Sequence, residues 1–205
     1  MRIRTNILLL IGLLFVSASC GRKSDAYSDT RNNAAPFRKV VLADSLEYTI
    51  LYKPIVQLLE QEGLTDMSDS IASRRFSDLT GTAWFNIYIK QVNGSNSPLR
   101  YRLASYDEYQ SRYNYFMSAA ASDITLKYGD KILSPVSYTF ETTYNLTPQE
   151  VMVIGFELPG ADTFPVETMQ LSYFDRIFGN GIIKATYDAT ALRAYSGINN
   201  DKIYF

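Results

Sequence analysis

Residues 83–92, with the sequence AWFNIYIKQV, form a run dense in side chains that favour β-strands. These side chains are Trp84, Phe85, Ile87, Tyr88 and Ile89. The segment NGSNSP at 93–98 follows directly and combines residue types that form turns. We therefore expect a strand at 83–92, then a turn, and then a returning partner strand at 99–103.

Similar strand-like runs, separated by turn signals, lie on both sides of this stretch. In 46–52 apolar residues recur at every second position, as they do in a half-buried strand. Further strands are predicted at 124–127, 132–133, 136–142, 151–158, 168–174 and 182–187. The first two of these flank YGDK (128–131), a hairpin candidate, and FGNG (178–181) separates the last two. About six to nine short strands at this spacing indicate an antiparallel sandwich or barrel.

Two segments show the periodicity of helices. Residues 54–62 place apolar side chains on one face and are followed by a glycine. Residues 106–121 begin with a capping box formed by Ser105 and Glu108. One face of this second helix carries Tyr109, Tyr113, Phe116, Met117 and Ala120. The sequence therefore predicts a mainly β (α+β) fold, an antiparallel β-sandwich or barrel-like domain with one or two packed helices. Residues 65–78, rich in Ser and Asp, are expected to form a linker or long loop.

The first twenty residues have the organisation of an export signal. Arg2 and Arg4 precede an apolar run at 7–16, and three small residues follow it before Cys20. The apolar run is about ten residues long, whereas a helix that spans a bilayer needs about twenty. We therefore expect residues 1–19 to be a cleaved signal peptide.

The segment VSASC at 16–20 resembles the lipid-attachment box of bacterial lipoproteins. It departs from the common form at Ser17, where Leu is more frequent, and is similar to the looser boxes of Bacteroidota lipoproteins. The resemblance implies a diacylglyceryl group on the sulfur of Cys20 and usually an acyl group on its amine. Two acyl chains are enough for stable attachment to membrane lipid.

The region after Cys20 sets the expected boundaries and location. Residues 20–36 are mostly polar and are expected to form a lipidated, flexible tether, followed by a single mainly β domain at 37–205. Gly21 is not the acidic residue that retains enterobacterial lipoproteins at the inner membrane, so we expect the outer membrane of a Gram-negative bacterium. The segment RKSD at 22–25 lacks the acidic run of surface-export signals, which favours a periplasm-facing domain.

Several chemistries are missing from the chain. It contains no histidine, which removes Ser-His nucleophiles, the H-E-x-x-H zinc helix and the commonest general base. Its single cysteine is Cys20, so no other thiolate remains for catalysis or zinc binding. Twenty Lys and Arg stand against 21 Asp and Glu, and no basic surplus indicates a nucleic-acid partner. We expect no cofactor.

Carboxylates remain as candidate catalytic or metal-binding groups. Glu141, Glu150 and Glu157 lie on or beside predicted strands, and two carboxylates about 5–10 Å apart would suffice for a small hydrolase. Asp66 with Asp69, and the group Asn199, Asn200 and Asp201, are the candidate calcium ligands. Neither has EF-hand spacing, and no metal site is predicted.

Tyrosine is the unusual feature of the composition, with 16 Tyr and 11 Phe but one Trp. A tyrosine combines a flat apolar face with a hydroxyl group, which suits recognition of a sugar or a peptide. The alternative is that Tyr109 and Tyr113 belong to the core and that Tyr138, Tyr173 and Tyr187 are ordinary strand residues.

These observations lead to the hypothesis of a membrane-anchored envelope lipoprotein that is a non-catalytic binding module for a protein or a glycan. The sequence does not identify its binding surface. One alternative is a structural accessory subunit of an envelope-spanning secretion, motility or transfer machine. Another is a small carboxylate-based hydrolase.

Overall fold

The computed structural model describes residues 36–142, 147–160 and 165–195. These residues belong to one compact unit of the chain and contain nine strands and four α-helices. The strands are β1 (Arg38–Ala43), β2 (Leu46–Lys53), β3 (Thr82–Gln91), β4 (Ile124–Tyr128), β5 (Lys131–Leu133), β6 (Ser137–Glu141), β7 (Gln149–Glu157), β8 (Met169–Asp175) and β9 (Gly181–Tyr187). The helices are α1 (Ile55–Gln61), α2 (Ser70–Leu79), α3 (Tyr106–Ser118) and α4 (Ala189–Tyr195). None of these helices is long and apolar enough to cross a membrane.

The strands form two antiparallel sheets with a shared core. The five-stranded sheet has the order β1-β2-β3-β7-β6, and the four-stranded sheet has the order β5-β4-β8-β9. Alternate residues of β3, β8 and β9 are buried, because successive side chains of a strand point to opposite faces. The buried residues of both sheets belong to one hydrophobic cluster. This arrangement confirms the predicted mainly β, antiparallel, sandwich-like fold with packed helices.

Strand β3 lies at the centre of the five-stranded sheet, as its composition indicates. Phe85, Ile87 and Ile89 point into the core and are almost completely buried. The predicted partner strand at 99–103 is wrong. Both edges of β3 are occupied by β2 and β7, so no edge remains for a third partner. The chain instead forms a 3-10 turn at Pro98–Arg100.

The predicted hairpin around residues 128–131 is confirmed. Tyr128 and Lys131 are paired across the turn between β4 and β5. Gly129 has a φ of +55°, a left-handed conformation that glycine adopts without steric cost.

Two tyrosine hydroxyls connect the sheets. Tyr187 of β9 donates a 2.8 Å hydrogen bond to the carbonyl oxygen of Ile50 in β2. Tyr48 of β2 donates a 2.5 Å hydrogen bond to Oδ2 of Asp175 at the end of β8. Because these bonds lie in the interior, they determine how the two sheets sit on each other.

Helices α1 and α3 form close to where the sequence predicts them, and α2 and α4 were not predicted. Helix α2 occupies most of the segment predicted to be a loop, so that prediction is wrong for residues 70–78. Its N-cap is Asp69, whose side chain accepts a 2.8 Å hydrogen bond from the amide of Ile71. Leu79 packs with α1 and Trp84 in a second small hydrophobic cluster. This tertiary contact stabilises a helix whose own sequence has few apolar residues.

The N-terminal predictions fall outside the described residues. These are the signal peptide at 1–19, the lipid attachment at Cys20 and all but the last residue of the tether at 20–36. They stay predictions based on the sequence.

Candidate functional site

Helix α3 carries the most exposed group of aromatic side chains on a helix of this domain. The helix begins at Ser105, whose Oγ accepts a 3.1 Å hydrogen bond from the amide of Glu108. The carboxylate of Glu108 in turn accepts a 2.8 Å hydrogen bond from the amide of Ala104. This backbone hydrogen bond, followed by one from Arg112, lowers the pKa of Glu108. The capping predicted from the sequence therefore fixes where α3 starts and which residues share a face.

Tyr106, Tyr109 and Tyr113 form a row along α3, which we call the tyrosine row. The ring centroids of Tyr106 and Tyr109 are 6.2 Å apart with an interplanar angle of 21°. Those of Tyr109 and Tyr113 are 6.5 Å apart with an angle of 20°. Near-parallel rings at this separation are laterally displaced, so part of each ring face is not covered by its neighbour. The spacing of three and four residues places all three on one side of the helix.

Exposure is highest at the first tyrosine of the row. Tyr106 is 72% exposed, whereas Tyr109 and Tyr113 are half-buried and pack against the core. The ring of Tyr113 meets that of Phe140 of β6 edge to face, with centroids 6.3 Å apart. Phe140 stacks on the buried Phe116, at 5.3 Å. The row is therefore rigidly supported at one end and open to solvent at the other.

Arg112 connects α3 to the rest of the domain. Only 8% of this residue is exposed, and its guanidinium donates hydrogen bonds of 2.6 Å to the carbonyl of Tyr101 and 3.2 Å to that of Leu99. It also donates a 2.5 Å bond to Glu108 and lies 5.5 Å from the ring centroid of Phe178. These contacts hold the helix in one position, so the tyrosine row is presented on a fixed support.

Polar, uncharged groups accompany the tyrosine row. The side-chain amide of Gln110 donates a 2.8 Å hydrogen bond to the hydroxyl of Tyr106, and Asn114 is exposed one residue after Tyr113. Met117 continues the exposed strip by one more turn and is 47% exposed. Tyr106 and Tyr113 are separated by about 10 Å along the helix axis. The surface can therefore stack against a linear ligand of similar length and offer it hydroxyl and amide hydrogen bonds.

The three candidate catalytic carboxylates do not come together. Glu150 and Glu157 are at opposite ends of β7, about 23 Å apart along the strand, and point to opposite faces of the sheet. Glu141 is paired with Val151, which places it on the face opposite to Glu150. A carboxylate hydrolase needs its two groups within about 10 Å on the same side. Their arrangement therefore gives no support to that alternative.

Glu150 is the buried member of this group and has a structural partner. It is 4% exposed, and its Oε1 accepts a 2.5 Å hydrogen bond from the hydroxyl of the buried Ser97. Ser97 Oγ also accepts a 3.1 Å bond from the amide of Leu99, which caps the 3-10 turn. Burial raises the pKa of Glu150, and the hydrogen bond from Ser97 opposes this shift.

Two of the candidate calcium ligands, Asp66 and Asp69, lie in the part of the chain that the structure describes and form local hydrogen bonds. Asp66 accepts hydrogen bonds from the amide and hydroxyl of Ser68, at 2.9 and 2.6 Å, and Asp69 caps α2. In residues 36–142, 147–160 and 165–195 no group of three or more His, Cys, Asp or Glu could hold a metal ion. The candidates at 199–201 lie outside the described residues.

The sequence pattern of α3 identifies two members of the tyrosine row but predicts them as core. Tyr106 was missed, because it stands at the first helical position beside two acidic residues and outside the predicted apolar face. The available signal is its spacing of three and seven residues from Tyr109 and Tyr113. In contrast, Tyr173 and Tyr187 are buried strand residues, as the alternative interpretation of the tyrosines expects.

Comparison with known proteins assigns no family. No protein-family profile and no curated protein matches the chain. The solved structures include a DUF4426 family protein from Pseudomonas aeruginosa that is similar to this chain at 6% sequence identity. The alignment covers 74% of this chain and 91% of that one, with a TM-score of 0.34. A similarity this low transfers neither a family nor a function.

Proposed function

We propose that this chain is a lipid-anchored protein of the bacterial cell envelope and a non-catalytic binding module whose tyrosine row binds a glycan. The anchor would be Cys20, in the outer membrane, with the domain facing the periplasm. The observation that carries the binding function is the row of near-parallel rings on a fixed helix, which is exposed at Tyr106 and half-buried at Tyr109 and Tyr113.

The chemistry of the row suits a sugar. The apolar C–H face of a pyranose ring packs on an aromatic ring, and sugar hydroxyls need hydrogen-bond partners around it. Tyr106 and Gln110 form a hydrogen-bonded pair at the open end of the row, and Asn114 supplies an amide further along. Such a surface binds through stacking and neutral hydrogen bonds, without requiring a charged ligand.

The size of the row also favours a glycan over a protein. A standard protein interface buries about 800 Å² on each partner and has an apolar centre. The tyrosine row is one ring wide, and the residues beside it include Gln110 and Asn114, which are polar. A narrow strip of this kind matches an extended oligosaccharide better than a broad protein surface.

Two observations support a non-catalytic role. The chain contains no histidine, and its only cysteine is the proposed lipid-attachment residue. Glu141, Glu150 and Glu157 are arranged on two faces of the five-stranded sheet and cannot act on one substrate as a pair.

A glycan array followed by titration of the best-bound oligosaccharide tests the proposed binding function. Tyr106→Ala should weaken binding by about three- to tenfold, since one aromatic contact contributes about 0.5–1.5 kcal/mol. Phe174→Ala removes an exposed aromatic ring elsewhere, on β8, and serves as the matched control that should leave binding unchanged. Equal affinities of wild type and Tyr106→Ala would contradict the role of the row.

The structural-accessory alternative predicts a different result at the same position. A photo-reactive amino acid at position 106 would crosslink to an envelope protein in living cells if the row docks on a larger assembly. A specific protein crosslink, together with no bound glycan on the array, would replace the glycan proposal by that alternative.

Metabolic labelling with an alkyne fatty acid tests the anchor separately. Wild type should be labelled and Cys20→Ala should not, because the acyl groups attach at Cys20. Equal labelling of both forms, or of neither, would contradict the lipoprotein assignment without affecting the test of the tyrosine row.

A further inference from the structure

The outer face of the four-stranded sheet contains basic, neutral polar and apolar side chains but no acid. The residues that point outward from β4, β8 and β9 are Thr125, Lys127, Gln170, Ser172, Phe174, Ile182, Lys184 and Thr186. We call this surface the basic sheet face. Lys127 and Lys184 are both exposed. In a chain with 21 acidic and 20 basic residues, an exposed sheet surface without a carboxylate is a marked segregation of charge.

Two large apolar side chains are neighbours at one end of this face. Phe174 of β8 and Ile182 of β9 are directly paired in the sheet register. They are 44% and 59% exposed, although the opposite face of the same strands is fully buried. Exposed paired apolar side chains lose the benefit of burial in the free protein and mark a surface that contacts something apolar.

A further cation lies beside the apolar pair. The guanidinium of Arg176 is 5.6 Å from the ring centroid of Phe174, and it also forms an ion pair with Asp123. The side chain of Asp123 is almost buried, whereas that of Arg176 is 54% exposed. The positive member of this pair is therefore the one that faces solvent.

The nearest exposed acids lie beyond the other end of the strands. Asp130 is in the β4–β5 turn, Glu167 precedes β8, and Asp188 follows β9. All three are close to the end marked by the paired residues Met169 and Tyr187, away from Phe174 and Ile182. The apolar pair and Arg176 therefore lie at one end of the face and the acidic rim lies at the other. Lys184 is in the middle, level with Ser172, and Lys127 is level with Gln170, near the acidic rim.

We propose that the basic sheet face docks on an anionic phospholipid surface, with Phe174 and Ile182 at the boundary between headgroups and acyl chains. Each lysine near an anionic membrane contributes about 1 kcal/mol of attraction, and exposed apolar side chains add to it by leaving water. An apolar pair with Arg176 and Lys184 beside it fits a membrane, which offers negative headgroups and an apolar interior together. The acidic rim would be held away from the lipid. This inference does not depend on glycan binding by the tyrosine row or on acylation of Cys20.

Sedimentation of the full chain with vesicles tests the inference. One set contains phosphatidylcholine alone, and the other contains equimolar phosphatidylglycerol and phosphatidylcholine. The N-terminal apolar segment and any acyl groups contribute to binding in every sample, so the comparison uses the ratio of affinities for the two vesicle types. Wild type should prefer the anionic vesicles, and added salt should reduce that preference by screening.

The variant Lys127→Glu with Lys184→Glu should reduce the preference at least about tenfold, because each reversal removes an attraction and introduces a repulsion. Arg74→Glu reverses one charge on the exposed surface of α2 and is the net-charge control for the single reversal Lys184→Glu, with the preference retained. If the double variant is unfolded by circular dichroism, Lys184→Gln replaces it and should reduce the preference by about threefold or more. Phe174→Ser should weaken binding to the anionic vesicles further.

Two results would overturn the inference. One is an equal affinity of wild type for both vesicle types. Soluble polyglutamate, an acidic polypeptide, is tested in parallel, and its binding would not change this conclusion. Binding to polyglutamate in that case would identify an acidic polypeptide as the partner of the face. The other is an equal loss of the preference for anionic vesicles in Arg74→Glu and in the lysine variants. That result would show that the preference depends on the net charge of the protein and not on the basic sheet face.

Discussion

Three tyrosines of the strands and the first tyrosine of α3 have opposite environments. Tyr48, Tyr173 and Tyr187 are completely buried between the sheets. Tyr106 is mostly exposed, and the two tyrosines that follow it in the row are half-buried. One residue type therefore supplies both the interior of the sandwich and its candidate binding surface.

The buried group is constrained by its hydroxyl groups. Tyr187 donates to a backbone carbonyl and Tyr48 to Asp175, which also accepts from the amide of Asn180. Burial raises the pKa of both hydroxyls, so they remain neutral donors. The hydroxyl of Tyr173 is buried near that of Tyr115 but meets no partner with the geometry of a hydrogen bond. A buried tyrosine is thus stabilising only when its hydroxyl is satisfied.

The largest effect is expected when a buried tyrosine is removed. Tyr187→Ala should lower the free energy of unfolding by about 3–5 kcal/mol, because it leaves a cavity between the sheets and removes the hydrogen bond to the carbonyl of Ile50. Urea denaturation followed by circular dichroism measures this change. A loss below about 1 kcal/mol would mean that Tyr187 does not hold the sheets together.

Replacing tyrosine by phenylalanine removes only the hydroxyl group. This change distinguishes Tyr187, whose hydroxyl forms a hydrogen bond, from Tyr173, whose hydroxyl has no hydrogen-bond partner. Tyr187→Phe should cost about 1 kcal/mol, since the hydrogen bond to Ile50 is lost. Tyr173→Phe should be neutral or slightly stabilising, since no hydrogen bond is lost. The same denaturation experiment compares the two variants, and equal losses would show that Tyr173 bonds to Tyr115 in solution.

The contrast between buried and exposed polar groups also predicts a pH dependence at Glu150. Burial raises the pKa of this carboxyl in the folded state, so the folded protein binds the proton more tightly than the unfolded chain does. Its contribution to stability is therefore complete below the unfolded pKa of about 4.3 and is lost as the pH rises through the folded pKa.

Glu150→Gln removes this titration while keeping an oxygen that can accept from Ser97. The variant should gain stability relative to wild type as the pH rises from 4 to 7, in thermal unfolding at matched ionic strength. Glu108→Gln is the control with the opposite sign, because the pKa of Glu108 is lowered. Parallel pH profiles of wild type and Glu150→Gln would contradict the effect of burial.

The smallest effect on stability is expected at the exposed end of the tyrosine row. Tyr106→Ala should change the free energy of unfolding by less than about 0.5 kcal/mol, because the side chain is 72% exposed. If the variant keeps its stability and loses ligand affinity, the row has a binding role. A loss of more than about 2 kcal/mol would instead place Tyr106 among the structural tyrosines.

Local features of the fold were predictable from neighbouring residues. The capping box of Ser105 and Glu108 defines the start of α3, and Gly129 allows the turn between β4 and β5. Alternation of apolar residues predicts most of the strands, since burial of one sheet face imposes a period of two. These signals depend on interactions between residues close together in the sequence. They can therefore be recognised without knowing which strands and helices pack against the segment.

Pairing and exposure were not predictable in the same way. The partners of β3 depend on β2 and β7, of which β7 is more than fifty residues away in the sequence, and the stability of α2 depends on α1. The sequence predicted part of the candidate site. The residue spacing in α3 identifies Tyr109 and Tyr113, but no neighbouring residue indicates that the row is exposed to solvent at Tyr106. The burial of a side chain is set by what packs over it, and that information is distributed along the chain.

By itself, the sequence determined the strand-rich, antiparallel character of the domain, the start of α3, and the absence of histidine chemistry. These properties follow from residue types and short-range spacing. Only the tertiary structure decided which tyrosines are buried, that Glu150 and Glu157 face opposite ways, and that Phe174 lies opposite Ile182 on an acid-free face. The physical reason is that sheet register and sheet packing bring distant residues together through cooperative burial of the whole core.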